Sequence, residues 1–172
     1  MTAYAALLRA VNVGGTGKLA MSDLRALCET CGFTKAATYI QSGNVVFETR
    51  RAEASVKKLL EEQLTRKLGK QADVMIRTKQ ELETLVAASP FPKAPPNRVL
   101  VLFLDGPPPR SCLDGVVAPG GEELAACGRH VVVHYPNGMG QSKLKLPKLG
   151  TVTGRNLNTV RKLIELLAAL EG

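Results

Sequence analysis

At 172 residues, 45% of them hydrophobic, the chain is long enough for one large domain or two small ones and too apolar for a disordered polymer. Its longest apolar runs, such as Val99 to Leu104, fall far short of the roughly 20 residues a membrane helix needs, and the first fifteen residues lack the basic start and A-x-A-like site of a signal peptide, so a cytoplasmic protein without a membrane partner is expected. The net charge of +8 is uneven: Arg129, Lys143, Lys145, Lys148, Arg155, Arg161 and Lys162 lie between Glu123 and Glu165 with no carboxylate among them, which leaves 16 of the 23 cations to face all 15 carboxylates.

Tyr4 to Val11 reads as a strand, broken by a loop with three glycines between Asn12 and Gly17. Ser22 is placed to cap a helix that Gly32 closes. Leu24, Leu27, Cys28 and Cys31 form that helix's apolar stripe. The Cys28-x-x-Cys31 pair therefore sits at a helix C-terminus, where the dipole disfavours a thiolate, and core packing is favoured over redox or metal chemistry. Thr38 to Ile40 and Val45 to Phe47 flank Gln41-Ser42-Gly43-Asn44, a hairpin signal. Val56, Leu59, Leu60, Leu64 and Leu68 mark a second helix ending at Gly69, and Val74 to Ile76 a fourth strand.

This order, β-α-β-β-α-β, is ferredoxin-like. Thr78-x-x-Glu81 is a capping box for a connecting helix, and four prolines between Ser89 and Pro96 make a linker. The same order can recur beyond it: a strand from Arg98 to Leu104, a short helix from Ser111 to Ala118, paired strands at 124–127 and 131–135, a helix from Ser142 to Leu149, and a strand at 151–153. An amphipathic helix with Val160, Leu163, Ile164 and Leu167 on one face ends the chain. The expectation is an α+β protein of two ferredoxin-like halves, 1–77 and 98–172, joined by a helix and Pro-rich linker over 78–97.

The glycine loop is no P-loop, because Asn12 replaces the first glycine and Leu19 the hydroxyl residue of G-x-x-x-x-G-K-[ST]. Topology offers more. Strands one and three of such a sheet are antiparallel neighbours, so Arg9, Asn12, Gly14, Gly15 and Lys18 should share one end of it with Gln41, Ser42 and Asn44. Backbone amides with asparagines and an arginine can cradle an anion there. The turn requirements of Gly43 and Asn44 explain those two residues equally well. A second polar cluster holds Ser142, Lys143, Arg155, Asn156 and Asn158. Asn156 or Asn158 should cap the last helix, whose N-terminus with Arg155 suits an anion. His130 and His134 lie too far apart along a strand to share a metal, and Glu61-Glu62 and Glu122-Glu123 read as solvated charge. No cofactor or metal is expected.

Tyr4 to Gly15, Met21 to Leu27, Tyr39 to Phe47, Gly140-Gln-Ser-Lys143-Leu and Arg155 to Leu163 resemble the successive motifs of a bacterial family catalogued as domain of unknown function sixteen ninety-seven. The resemblance implies an α+β fold of ferredoxin-like halves in a stand-alone protein. It implies no activity, substrate or catalytic residue. The family usually has Gly-Ile where this chain has Ala10-Val11, and tryptophan where it has Leu157; if that ring contacts a ligand, the contact is missing here.

Three functional classes follow: binding or turnover of a small phosphate- or carboxylate-bearing molecule, nucleic-acid binding through the basic C-terminal third, and a protein-interaction module. The small anionic ligand is favoured. The chain has no tryptophan and seven Phe and Tyr residues, and it lacks the aromatic motif with which βαββαβ modules bind RNA. Monomer and homodimer both remain open.

Overall fold

The computed structural model describes residues 1–9, 19–39 and 43–171. Among these the order is β1 (Thr2–Arg9), α1 (Met21–Thr30), β2 (Thr34–Tyr39), β3 (Asn44–Thr49), α2 (Glu53–Leu68), β4 (Asp73–Thr78), α3 (Lys79–Ala87), a 3-10 turn at Pro96–Arg98, β5 (Val99–Leu104), β6 (Glu123–Cys127), β7 (His130–His134), β8 (Val152–Asn156) and α4 (Leu157–Glu171). The protein is α+β, with four helices and two four-stranded antiparallel sheets. It divides into two compact units, Met1–Leu82 with the end of α4 from Leu163, and Glu83–Lys162.

The first sheet runs β2-β3-β1-β4. Alternation sends Tyr4, Ala6 and Leu8 of β1, Val45 and Phe47 of β3, and Val74 and Ile76 of β4 to one face. Leu24 and Cys28 of α1 and Val56, Leu60 and Leu64 of α2 pack on it; their four-residue spacing keeps each helix's apolar stripe on the sheet. The opposite face is buried too, through Ala3, Ala5, Leu7, Asn44, Val46, Met75 and Arg77. Ser22 does not cap α1. The N-cap is Ala20, whose carbonyl already accepts the Leu24 amide at 3.0 Å, so the helix starts before the serine and Asp23 supplies the negative charge in its first turn. Gly69 ends α2 at φ 72°, a conformation that disfavours side chains with a Cβ. Thr78 caps α3 as expected, its hydroxyl accepting the Glu81 amide at 3.2 Å.

Strand β4 lies at the sheet's edge, and α2 side chains meet the outward amide and carbonyl of Val74. Glu61 accepts the Val74 amide at 3.0 Å, Lys57 donates to the Val74 carbonyl at 2.6 Å, and the two side chains pair at 2.9 Å one helical turn apart. An uncovered edge invites pairing with another chain. Glu61→Ala should cost about 1 kcal/mol in urea unfolding, the weight of a hydrogen bond that water partly replaces. It should also give concentration-dependent association on size-exclusion chromatography; a variant of native stability that stays monomeric would show that the pair guards nothing.

The second sheet runs β6-β7-β5-β8 and repeats the strand order of the first. One face gathers Leu100, Leu102 and Leu104, Val131 and Val133, and Tyr135 just beyond β7. Loops cover it, through Leu113, Met139, Leu144 and Leu149. The helix expected over 111–118 is a run of turns, with Cys112 and Asp114 donating to Pro109 and Ser111 at 3.0 Å each, and Gly115 at φ 74° breaks any continuation. The helix expected over 142–149 is absent as well: Pro147 has no amide donor, and the Ser142 hydroxyl takes the Leu144 amide at 3.2 Å. Strand β8 is longer than the expected 151–153 and takes in Arg155 and Asn156. On α4, Val160, Leu163 and Leu167 of the expected stripe are buried, while Ile164 is half-buried. No described helix is long and apolar enough to cross a membrane.

Candidate functional site

The polar residues that converge in the second unit do so at the mouth of its loops. After β7 the chain turns at Tyr135–Gly138, Gly138 reaching φ 83° and donating to the Tyr135 carbonyl at 3.0 Å. It turns again where the Ser142 amide meets the Met139 carbonyl at 3.3 Å, then lays Leu144 on the sheet. Facing these turns is the segment that leads into β6. Together they form a cleft of about 300 Å³ lined by Gly120, Glu122, Tyr135, Asn137, Gln141 and Lys143, among others.

Glu122 organises it. The residue is 8% exposed, and both oxygens are engaged: Ser142 donates its hydroxyl at 2.6 Å and Gly120 its amide at 2.8 Å. A Cβ at position 120 would lie 2.8 Å from the carboxylate, so any other residue here would push the Glu122 side chain out of this position. The Asn137 amide donates to the Gly120 carbonyl at 3.1 Å and ties the two loops together. The Ser142 hydrogen bond, ahead of the backbone amides, holds the Glu122 carboxyl below the usual range, so it is ionised at neutral pH. Tyr135 is buried beside it, and burial first, then the Glu122 charge, raises its phenol above the ordinary value. Lys143 is exposed on the cleft's rim.

The expected site residues separate. Asn12, Gly14, Gly15, Lys18, Gln41 and Ser42 lie outside the described residues. Arg9 and Asn44 do share one end and one face of the first sheet, Asn44 standing opposite Leu7. Arg9 pairs with Asp73 at 3.4 Å. Asn44 is wholly buried and donates to the Tyr39 carbonyl at 3.2 Å, which fastens β2 to β3.

In the second unit Ser142 and Lys143 line the cleft, but Arg155 does not join them. It stands opposite Val101 in the sheet, on the face away from Leu100, Leu102 and the loops that cover them. There it is buried, its guanidinium donating to Thr153 Oγ1 at 2.7 Å and to the Gly154 carbonyl at 2.9 Å. Burial pushes its pKa down to about 10. The sequence had placed it at a helix N-terminus; the longer β8 turns it into the sheet. Asn156 caps α4, accepting the Thr159 amide at 2.9 Å, while Asn158 is exposed on the helix.

Glu122, Tyr135, Asn137 and Gly120 were missed. The two adjacent glutamates read as solvated charge, yet only Glu123 is exposed. The one available signal was Glu122's place after two glycines, directly before a strand. His130 packs edge-on against Phe103 at 5.1 Å, and His134 against Phe91 at 5.5 Å. Among the described residues no three His, Cys, Asp or Glu side chains are grouped to hold a metal ion.

Fold and cleft together define an α+β protein of two like-ordered antiparallel sheets, with a polar pocket among the loops of the second. The chain belongs to the family described as Protein of unknown function (DUF1697), whose model matches residues 1–132. That stretch contains Glu122 and Tyr-free β6 but ends before Ser142 and Lys143. Among solved structures it is similar to the conserved bacterial protein SP0830 from Streptococcus pneumoniae, at 23% identity and a TM-score of 0.77, over 96% of this chain and 98% of that one. At that identity the likeness concerns the fold alone. No curated protein matches the chain.

Proposed function

We propose that the protein binds a small phosphate- or carboxylate-bearing molecule in the Glu122–Lys143 cleft. The observation that carries this reading is Lys143, a cation on the rim of a concave, amide-lined space, with no hydrogen-bonding or ion-pair partner among the described residues. The amides of Asn137 and Gln141 add donors suited to anion oxygens, and the surplus of cations between Glu123 and Glu165 steers an anion toward this unit. We also read each half as a ferredoxin-like variant, a reading the shared strand order supports; in the second half loops replace the crossover helices. The four free thiols fit a reducing, cytoplasmic setting.

Titration with a panel of sugar phosphates, nucleotides and short carboxylates, followed by amide chemical shifts, tests the site. Binding should perturb residues 137–143 and weaken roughly tenfold in Lys143→Met, which corresponds to losing one charge-assisted hydrogen bond of about 1.5 kcal/mol. Lys143 is exposed, so the variant should fold normally. Binding that is indifferent to Lys143 would remove the cleft from consideration.

A further inference from the structure

We propose that the ligand of this cleft is zwitterionic, with an amine a few bonds from its phosphate or carboxylate, an inference that rests on the anion-site reading above. Two opposite charges line the same small space. Lys143 offers the cation, while Glu122, only 8% exposed, holds a carboxylate in the wall.

That carboxylate is fixed in place by Ser142 at 2.6 Å on one oxygen and Gly120 at 2.8 Å on the other. Its own backbone amide is a third donor, and a carboxylate has about four acceptor positions, so these contacts orient Glu122 and leave it room for about one more donor. Two contacts hold the loops around it, the Asn137 tie to the Gly120 carbonyl and the Ser142 turn.

A plain anion in this cleft is attracted by Lys143 and repelled by Glu122. Adding an amine to the anion converts the repulsion into a charge-assisted hydrogen bond. The carboxylate thus acts against plain anions as well as for amines, which is how a small site discriminates between ligands of one size.

Isosteric series read this directly. Aminoethyl phosphate, hydroxyethyl phosphate and propyl phosphate differ at one terminal group, as do β-alanine, hydroxypropanoate and butanoate. In the unaltered protein the amine of at least one series should bind roughly tenfold more tightly than its methyl counterpart, with the hydroxyl between them. Glu122→Gln should bring the three to near parity, and Lys143→Met should weaken all of them. Because the comparison within the unaltered protein needs no variant, failure of Glu122→Gln to fold leaves the test standing. Equal binding of all three members, still dependent on Lys143, would overturn the zwitterion and spare the anion site. If no member of either series binds, both are lost.

Discussion

Phe47→Ala is expected to lower the unfolding free energy of the protein by about 4 kcal/mol, within the range for emptying a buried aromatic site. Phe47 has no solvent exposure and sits on β3, between β1 and β2. Its ring stacks on Phe33 with centroids 4.4 Å apart and planes 9° from parallel, and Tyr4 stands 6.4 Å away on the neighbouring strand. Both helices close over the same cluster through Cys28, Leu60 and Leu64. Collapse into the vacated space is therefore limited by rigid elements on every side, which keeps the cavity cost high. Against a total stability of roughly 5–15 kcal/mol for a domain, this loss is between about a quarter and four-fifths of the whole. Urea denaturation measures it. The pair Phe33→Ala and Phe47→Ala, combined in one chain, should show a coupling of about 1 kcal/mol, the increment an aromatic contact adds beyond buried area. A loss for Phe47→Ala below about 2 kcal/mol, or strict additivity of the pair, contradicts this account of the core.

The first half was legible because local and global signals agree there. The stripe Val56, Leu60, Leu64 sets the face of α2, Gly32 and Gly69 end their helices at positive φ, and the β-branched and aromatic triplet Val45 to Phe47 becomes a central strand. The second half misled for a physical reason. Leu113, Leu144 and Leu149 are apolar because a sheet needs covering, and a loop that covers a sheet carries the same residues as a helix that does so. Spacing alone cannot separate the two when proline and glycine interrupt the pattern. Arg155 shows the consequence for the site. A cation among asparagines and threonines reads as a ligand contact, but the extension of the strand past Thr153 buries it with the Gly154 carbonyl and Thr153 as partners. Ser142 and Lys143 stood out as polar residues beside Gly140, though the sequence set them at the start of a helix where the chain makes a turn. Glu122 was not, because what distinguishes it from Glu123 is the side of the strand entry on which it falls, and that register is a tertiary property.

The chemistry of the cysteine pair gives the second large effect. At pH 8 iodoacetamide should modify Cys112 and Cys127, which are half exposed, and leave Cys28 intact in the folded protein. Burial, followed by the neighbouring Cys31 and Glu29, pushes the Cys28 pKa up to about 12. The thiolate fraction at pH 8 then falls to about one in ten thousand, against roughly a tenth for a thiol at 9.0, so the reaction should slow by about a thousandfold before access is considered. Cys31 is raised too, by burial, with Arg51 acting in the opposite sense, and should react slowly. The same shift has a consequence for stability. The folded state keeps the Cys28 proton up to about pH 12, while the unfolded chain releases it near 9.0. Between those values the unfolded state binds fewer protons, so stability declines as pH rises, by about 1.4 kcal/mol per pH unit once the unfolded thiol is ionised. Below about pH 8 the group contributes almost no slope. Cys28→Ala, though weaker overall from lost packing, should therefore show a shallower decline between pH 9 and 11 than the unaltered protein. Rapid labelling of Cys28 in the folded state, or identical alkaline slopes for the two chains, would mean that the thiol is reached by water and that the pair is available for redox chemistry after all.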